Sequence, residues 1–180
     1  MNPTNHINEK AASSQNARTI DNQTIVPWAL MSGEVVINRY NSHIHSGVER
    51  FLPEALGNVR SYARPFLSET VDLGRVVGES TCVETAQHDI VLFAQRHGRR
   101  GLSHFVQERD PVPTSKMTII LKRATPREYI LITAWFGTQA QPEPWDPKAS
   151  EQSFSFWTQH ALIWGSEPII PGTVTTCCPC

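Results

Sequence analysis

The chain has 180 residues, 16 Lys and Arg against 17 Asp and Glu, and a formal net charge of -1 with its seven His neutral. That length suits one core-forming domain with some tail, and the near-neutral balance excludes a protein that coats polyanions through bulk basic charge. Hydrophobic residues make up 39%, yet no apolar run approaches the roughly 18 residues that a spanning helix needs, so no membrane partner is expected.

Residues 1–24, "MNPTNHINEKAASSQNARTIDNQT", are rich in Asn, Thr, Ser and Gln. They hold too few apolar side chains to offset the entropy of ordering and read as a flexible leader. The same stretch lacks the basic start and apolar centre of a signal peptide, which predicts a soluble, cytoplasmic product. A single domain is expected over 25–165. It begins with core material in "IVPWALMSGEVVI", interrupted by Pro27 and Gly33. Short helical segments follow in "NSHIHSGVERFLPEALGNVRSYARPFL": Val48, Phe51 and Leu52 have helical spacing, Pro53 suits a first turn and Gly57 a helix end.

The centre contains four runs of strand character, 89–96, 102–107, 116–123 and 129–136. "HGRRG" joins the first two and "ATPRE" the last two, so both pairs read as antiparallel hairpins. Thr81 and Glu84 also form a capping-box pattern that would make the first run the end of a helix; the β-formers Ile90, Val91, Leu92 and Phe93 favour the strand. After "GTQAQPEPWDP", Asp146 and Pro147 supply an N-cap and a first-turn proline, and helical spacing puts Phe154, Trp157, Ala161 and Trp164 on one face. Residues 166–180 read as a fraying tail with Cys177, Cys178 and Cys180 in "TTCCPC". Adjacent cysteines fit a tetrahedral zinc site poorly, so no metal and no cofactor is expected. The predicted fold class is α+β: N-terminal helical segments, a four-stranded antiparallel meander and a closing C-terminal helix.

Charge is distributed unevenly along this order. Residues 91–127 hold eight Lys and Arg against two Asp and Glu, a local +6 in an otherwise acidic chain. All eight fall on the two predicted hairpins: Arg96, Arg99, Arg100, Arg109, Lys116, Lys122, Arg123 and Arg127. If the hairpins are neighbours in one sheet, they make a positive surface suited to RNA or another phosphate-rich anion, and arginine's planar fork favours bidentate phosphate contacts. The bland alternative is a set of solvated strand ends paired with Glu108, Asp110 and Glu128. Arg96, Arg99, Arg100, Thr114 and Lys122 are the candidate substrate-binding residues. Trp145 joins them as a stacking platform for a base, against the alternative that it pins its own loop to the core.

His97, His104, Thr114, Ser115 and Thr133 lie in or near the same segment. RNA cleavage through the ribose 2′-OH needs a general base, a general acid and cations for the charge that develops on the phosphate. Histidine suits the first two roles because its pKa is near neutrality. His160, on the predicted last helix, is a second acid–base candidate.

The order of helices then antiparallel strands, with "RHGRRGLSHFVQERD" on the first hairpin and "YILITAWFG" on the last strand, resembles the barnase–EndoU–colicin–RelE group of small ribonuclease toxins over residues 45–164. The resemblance implies a metal-independent endoribonuclease. It would make His104 the general acid or base, Arg109 and Arg100 phosphate clamps, and Thr133 a hydroxyl donor at the scissile phosphate. A toxin of this kind would also have a cognate inhibitor protein as partner. Three rival readings stand beside it: a non-catalytic RNA- or phosphate-binding module, a cysteine-dependent enzyme built on Cys82 in "GESTCVET", and a small regulatory domain of mobile-element origin that contacts an acidic protein.

Overall fold

The computed structural model describes residues 18–20, 23–33 and 35–178, so residues 1–17 of the expected leader lie outside the described part. Strand β1 (Arg18–Ile20) and strand β2 (Gln23–Ser32) start within residues 1–24, and β2 turns at Gly33, φ 59°, into β3 (Val35–Ile44). The β2–β3 register breaks between Ile25 and Ala29. Pro27 lies in that gap and has no N–H to give the ladder.

The helical reading of the next stretch agrees with the structure. A 3-10 turn, Val48–Phe51, runs into α1 (Leu52–Gly57) with Pro53 in its first turn. Val48, Leu52, Ala55 and Leu56 are buried, the spacing of one helical face. Strand β4 (Phe66–Asp72) then buries Leu67 and Val71 in alternation. Short strands β5 (Gly78–Ser80) and β6 (Cys82–Glu84) lead to β7 (Val91–Gln95), β8 (Leu102–Val106) and β9 (Val112–Thr114). After β10 (Lys116–Thr125) and β11 (Glu128–Phe136), α2 (Glu151–Gln159) is followed directly by β12 (His160–Ile163).

Both hairpins form, β7 with β8 and β10 with β11. The fold is α+β, but the four strands do not make one meander. A six-stranded sheet runs β1-β2-β3-β11-β10-β4, a four-stranded sheet β6-β12-β8-β7, and β5 and β9 form a ribbon of their own. The physical reason is competition for strand edges. Strand β4 takes one edge of β10 from Lys116 opposite Asp72 to Lys122 opposite Phe66, and β3 takes the outer edge of β11 in parallel. Strand β12 takes the second edge of β8, also in parallel. Between β8 and β10 the chain carries Pro111 and Pro113, which cannot donate to a ladder and help to end the first hairpin's sheet there.

The expected closing helix is likewise shorter than its apolar spacing suggested. Asp146 caps a turn instead, accepting from the Lys148 amide at 2.8 Å. The helix starts one turn later, where the Ser150 amide donates to Ser153 Oγ at 3.1 Å. Past Gln159 the run "HALI" enters the four-stranded sheet, so Ala161 and Trp164 are not on a helical face. Residues 168–175, read from sequence as part of a fraying tail, run along β7: Phe93 and Thr175 exchange backbone hydrogen bonds at 2.8 and 2.9 Å, and Ile170 N donates to Gln95 O at 2.8 Å.

The larger core lies on one face of the six-stranded sheet, where Ile37, Met117, Ile119, Leu121, Tyr129 and Leu131 pack with Val48, Leu52 and Leu56. The four-stranded sheet is covered on both sides, by Val83, Val106, Ala161 and Ile163 on one and by Ala94, Phe105, Leu162 and the α2 residue Trp157 on the other. Trp157 Nε1 donates to the carbonyls of Gln141 and Pro142 at 3.0 and 3.1 Å. It thereby ties α2 to the loop that leaves β11. Among the described residues, no helix is long and apolar enough to cross a membrane.

Candidate functional site

Placing the hairpins in separate sheets disperses the eight central cations. Arg96 is largely enclosed and committed: its guanidinium pairs with Glu143, reaches Glu167 at 3.5 Å, and donates from Nε to Ser103 Oγ at 2.9 Å. Arg109 pairs at 2.7 Å with Asp89, whose side chain is 3% exposed. The Ala86 amide and Arg109 hold that carboxyl below the usual carboxylate range. Arg123 donates to Ala63 O at 3.0 Å. Arg99, Arg100, Lys116, Lys122 and Arg127 are exposed. The continuous basic sheet that the sequence suggested is therefore replaced by separate local clusters.

His104 is not at a surface either. It sits on β8, 9% exposed, with its ring 4.6 Å from Phe93 and 6.1 Å from Trp157. Its Nε2 has no hydrogen-bond partner among the described residues. Burial pushes its pKa below the usual imidazole value, against a backbone hydrogen bond at Trp157 and the Glu143 charge. A ring enclosed in this way suits packing, not proton exchange with a polymer. Thr133 lies on β11, opposite Ile120 of β10, in the other sheet, so His104 and Thr133 do not share a face.

A different group converges. An open cleft of about 440 Å³ is bounded by β6, β9, the start of β10, the turn after β11 and the start of β12. Residues singled out in the sequence line it, among them Arg109, Thr114 and His160. Lys116, Ser115, Ser80 and Glu84 complete its polar wall. Thr114 Oγ1 accepts from the Lys116 amide at 3.1 Å and so fixes the β9–β10 corner.

His160 occupies the junction of α2 and β12. Its ring stacks on Phe156 with centroids 3.9 Å apart and planes 9° from parallel, and Nδ1 lies 3.0 Å from Phe156 O. A carbonyl only accepts, so Nδ1 carries a proton in that contact and Nε2 is the nitrogen that can exchange one. Across the antiparallel ladder His160 is in register with Glu84. Directly opposed residues project from the same face with Cβ atoms about 4.5–5.5 Å apart, so Glu84 and His160 share that face and both line the cleft, with no ion pair closed between them. Glu84 was not singled out from the sequence as a chemistry-bearing residue, and Lys116 entered only as one of the eight central cations. Glu84 resembled a helix cap, and only the β6–β12 pairing brings it beside a histidine 76 positions later.

A second cleft, of about 540 Å³, lies where the two sheets and the loop after β11 meet, with Arg96, Arg99 and Trp145 among its lining residues. The two clefts share Ser80, Cys82 and Thr138 in their walls. Cys82 is not equipped as a nucleophile, since burial pushes its thiol up to about 11 and the Glu143 charge adds to that. Arg100, Lys122 and Thr133 line neither cleft. Among the described residues, no group of three or more His, Cys, Asp or Glu is arranged to hold a metal ion. Comparison with protein-family models, with curated proteins and with solved structures found no match.

Proposed function

We propose that the protein is an endoribonuclease that binds RNA in the smaller cleft and cleaves it, without a metal, by attack of a ribose 2′-OH on the adjacent phosphate. The observation that carries this reading is the convergence of Lys116, Arg109, Glu84 and His160 on one open cleft. Glu84 takes the proton of the 2′-OH, O2′ bonds to phosphorus, and the bond to the 5′-oxygen breaks. His160 gives that oxygen a proton from Nε2. Lys116 and Arg109 face the charge that builds on the phosphoryl oxygens, and Thr114 and Ser115 supply hydroxyl donors. The products are a 2′,3′-cyclic phosphate and a 5′-hydroxyl.

Incubation with total RNA in excess chelator tests this. Fragments ending in 2′,3′-cyclic phosphate are expected, and His160→Ala and Glu84→Gln should each slow cleavage by about 10²–10⁴-fold. Lys116→Ala should weaken RNA binding and flatten its salt dependence. Intact RNA with no salt-dependent association would overturn the proposal. A non-catalytic RNA-binding module is the second reading, favoured by the prior commitment of Arg109 to Asp89. It predicts binding, no fragments, and no further effect of His160→Ala on the RNA products.

A further inference from the structure

The larger cleft differs from the smaller one in charge and in lining. Its ionisable side chains include Arg96 and Arg99 against Glu143, Asp146 and Glu167, whereas the smaller cleft sets Arg109 and Lys116 against Glu84, with His160 beside them. A phosphate therefore belongs in the smaller one. The larger one instead offers flat apolar surface: Trp135 and Phe136 from β11 and Trp145 from the loop line it, with the amides of Gln139 and Gln141 alongside.

Trp145 is held before any ligand arrives. It lies so close over Gly101 that a Cβ there would sit 2.2 Å from Trp145 Cγ. Its Nε1 donates to Glu143 Oε2 at 3.0 Å, and Glu143 is itself held by Arg96. An indole fixed by packing on one side and by a hydrogen bond along its edge loses little entropy when a second flat ring stacks on it. The volume is within the range of pockets that enclose small organic groups, and the shared wall at Ser80, Cys82 and Thr138 makes the two clefts adjoining.

We infer that the larger cleft is a subsite for one unpaired nucleobase, stacked on Trp145, belonging to a nucleotide next to the phosphate in the smaller cleft. The inference rests on the reading of that cleft as a phosphodiester site. It makes the substrate single-stranded RNA, because a base held within a duplex could not enter. It also assigns Arg96 and Glu143 a positioning role, acting through Trp145.

The test uses the full chain in chelator and a set of short oligoribonucleotides that differ only in carrying an abasic ribose at one successive position, with binding followed by tryptophan fluorescence. One position is expected at which removing the base weakens binding about 5- to 100-fold. That penalty should disappear in Trp145→Ala and largely persist in Trp145→Phe. Lys116→Ala should weaken intact and abasic RNA by the same factor. Salt-dependent binding with an equal affinity for every abasic position overturns the base subsite while leaving the phosphate cleft standing. No binding of any oligonucleotide overturns both. The scan on the unsubstituted protein decides the matter even if Trp145→Ala does not fold.

Discussion

Arg96→Ala separates a structural cation from a phosphate-binding one. As a surface phosphate contact its removal would cost affinity and little stability. In the fold its side chain is 11% exposed and that of its partner Glu143 is 8% exposed. Arg96→Ala would leave Glu143 buried, with only the Trp145 indole as a neutral donor, and would also remove the hydrogen bond to Ser103. Breaking a buried pair from one side costs about 3–5 kcal/mol because an uncompensated charge stays behind. For a chain of this size that corresponds to a Tm about 6–20 °C lower. Replacing both partners, Arg96→Met with Glu143→Leu, should recover much of the loss, since an apolar pair of similar volume avoids both desolvation penalties. Thermal unfolding of the two single variants and the double variant gives the coupling directly. A Tm unchanged by Arg96→Ala, accompanied by loss of RNA affinity, would refute the reasoning and restore Arg96 as a ligand-binding cation.

Three other substitutions probe the same fold. The pKa of His104 is lowered in the fold from the ordinary 6.5, so the unfolded chain binds more protons just below that pH; the stability from burying the neutral ring is present above about 6.5 and is lost as pH falls toward the folded value. Thermal unfolding of His104→Leu should show a shallower loss of stability between pH 7 and pH 5, and its RNA cleavage at pH 7 should be retained; cleavage lost at unchanged Tm would contradict the buried role. Gly101→Ala puts a methyl group into the space occupied by Trp145, which should cost about 1–3 kcal/mol in thermal unfolding and shift the indole emission; an unchanged spectrum and Tm would show that the turn and the loop yield freely. Cys82→Ser should leave cleavage intact, and the thiol should resist alkylation at pH 7 because a pKa of about 11 leaves a thiolate fraction on the order of 10⁻⁴; rapid labelling would contradict its burial.

Part of the fold was legible because local rules govern it. The apolar runs around Phe93, Ile119 and Leu131 and the turn residues near Gly98 and Pro126 lead to the two hairpins that form. Val48, Leu52, Pro53 and Gly57 mark the short helical segment through spacing and punctuation. Strand β4 was less visible, because "RPFLSETVD" follows a helical stretch and its alternation buries only Leu67 and Val71 deeply. The end of α2 was not legible at all. Phe154, Trp157, Ala161 and Trp164 keep helical spacing, and only the ladder partners on β6 and β8 convert the last two turns to strand.

The sequence by itself determined which residues can carry charge, donate protons and stack. Arg109, Thr114, His160 and Trp145 were all selected by chemistry and nearby pattern, and all four line one of the two clefts. Which of the candidates meet was decided by tertiary structure. A strand edge can be claimed by any partner of suitable length, and the choice of β4 for β10, β12 for β8 and β6 for β12 depends on contacts far apart in the chain. Those pairings bury His104, separate it from Thr133, and bring Glu84 opposite His160. Side-chain chemistry is local to a residue, whereas a site is a set of distances, and here the distances are set by the exchange of strand partners between two sheets.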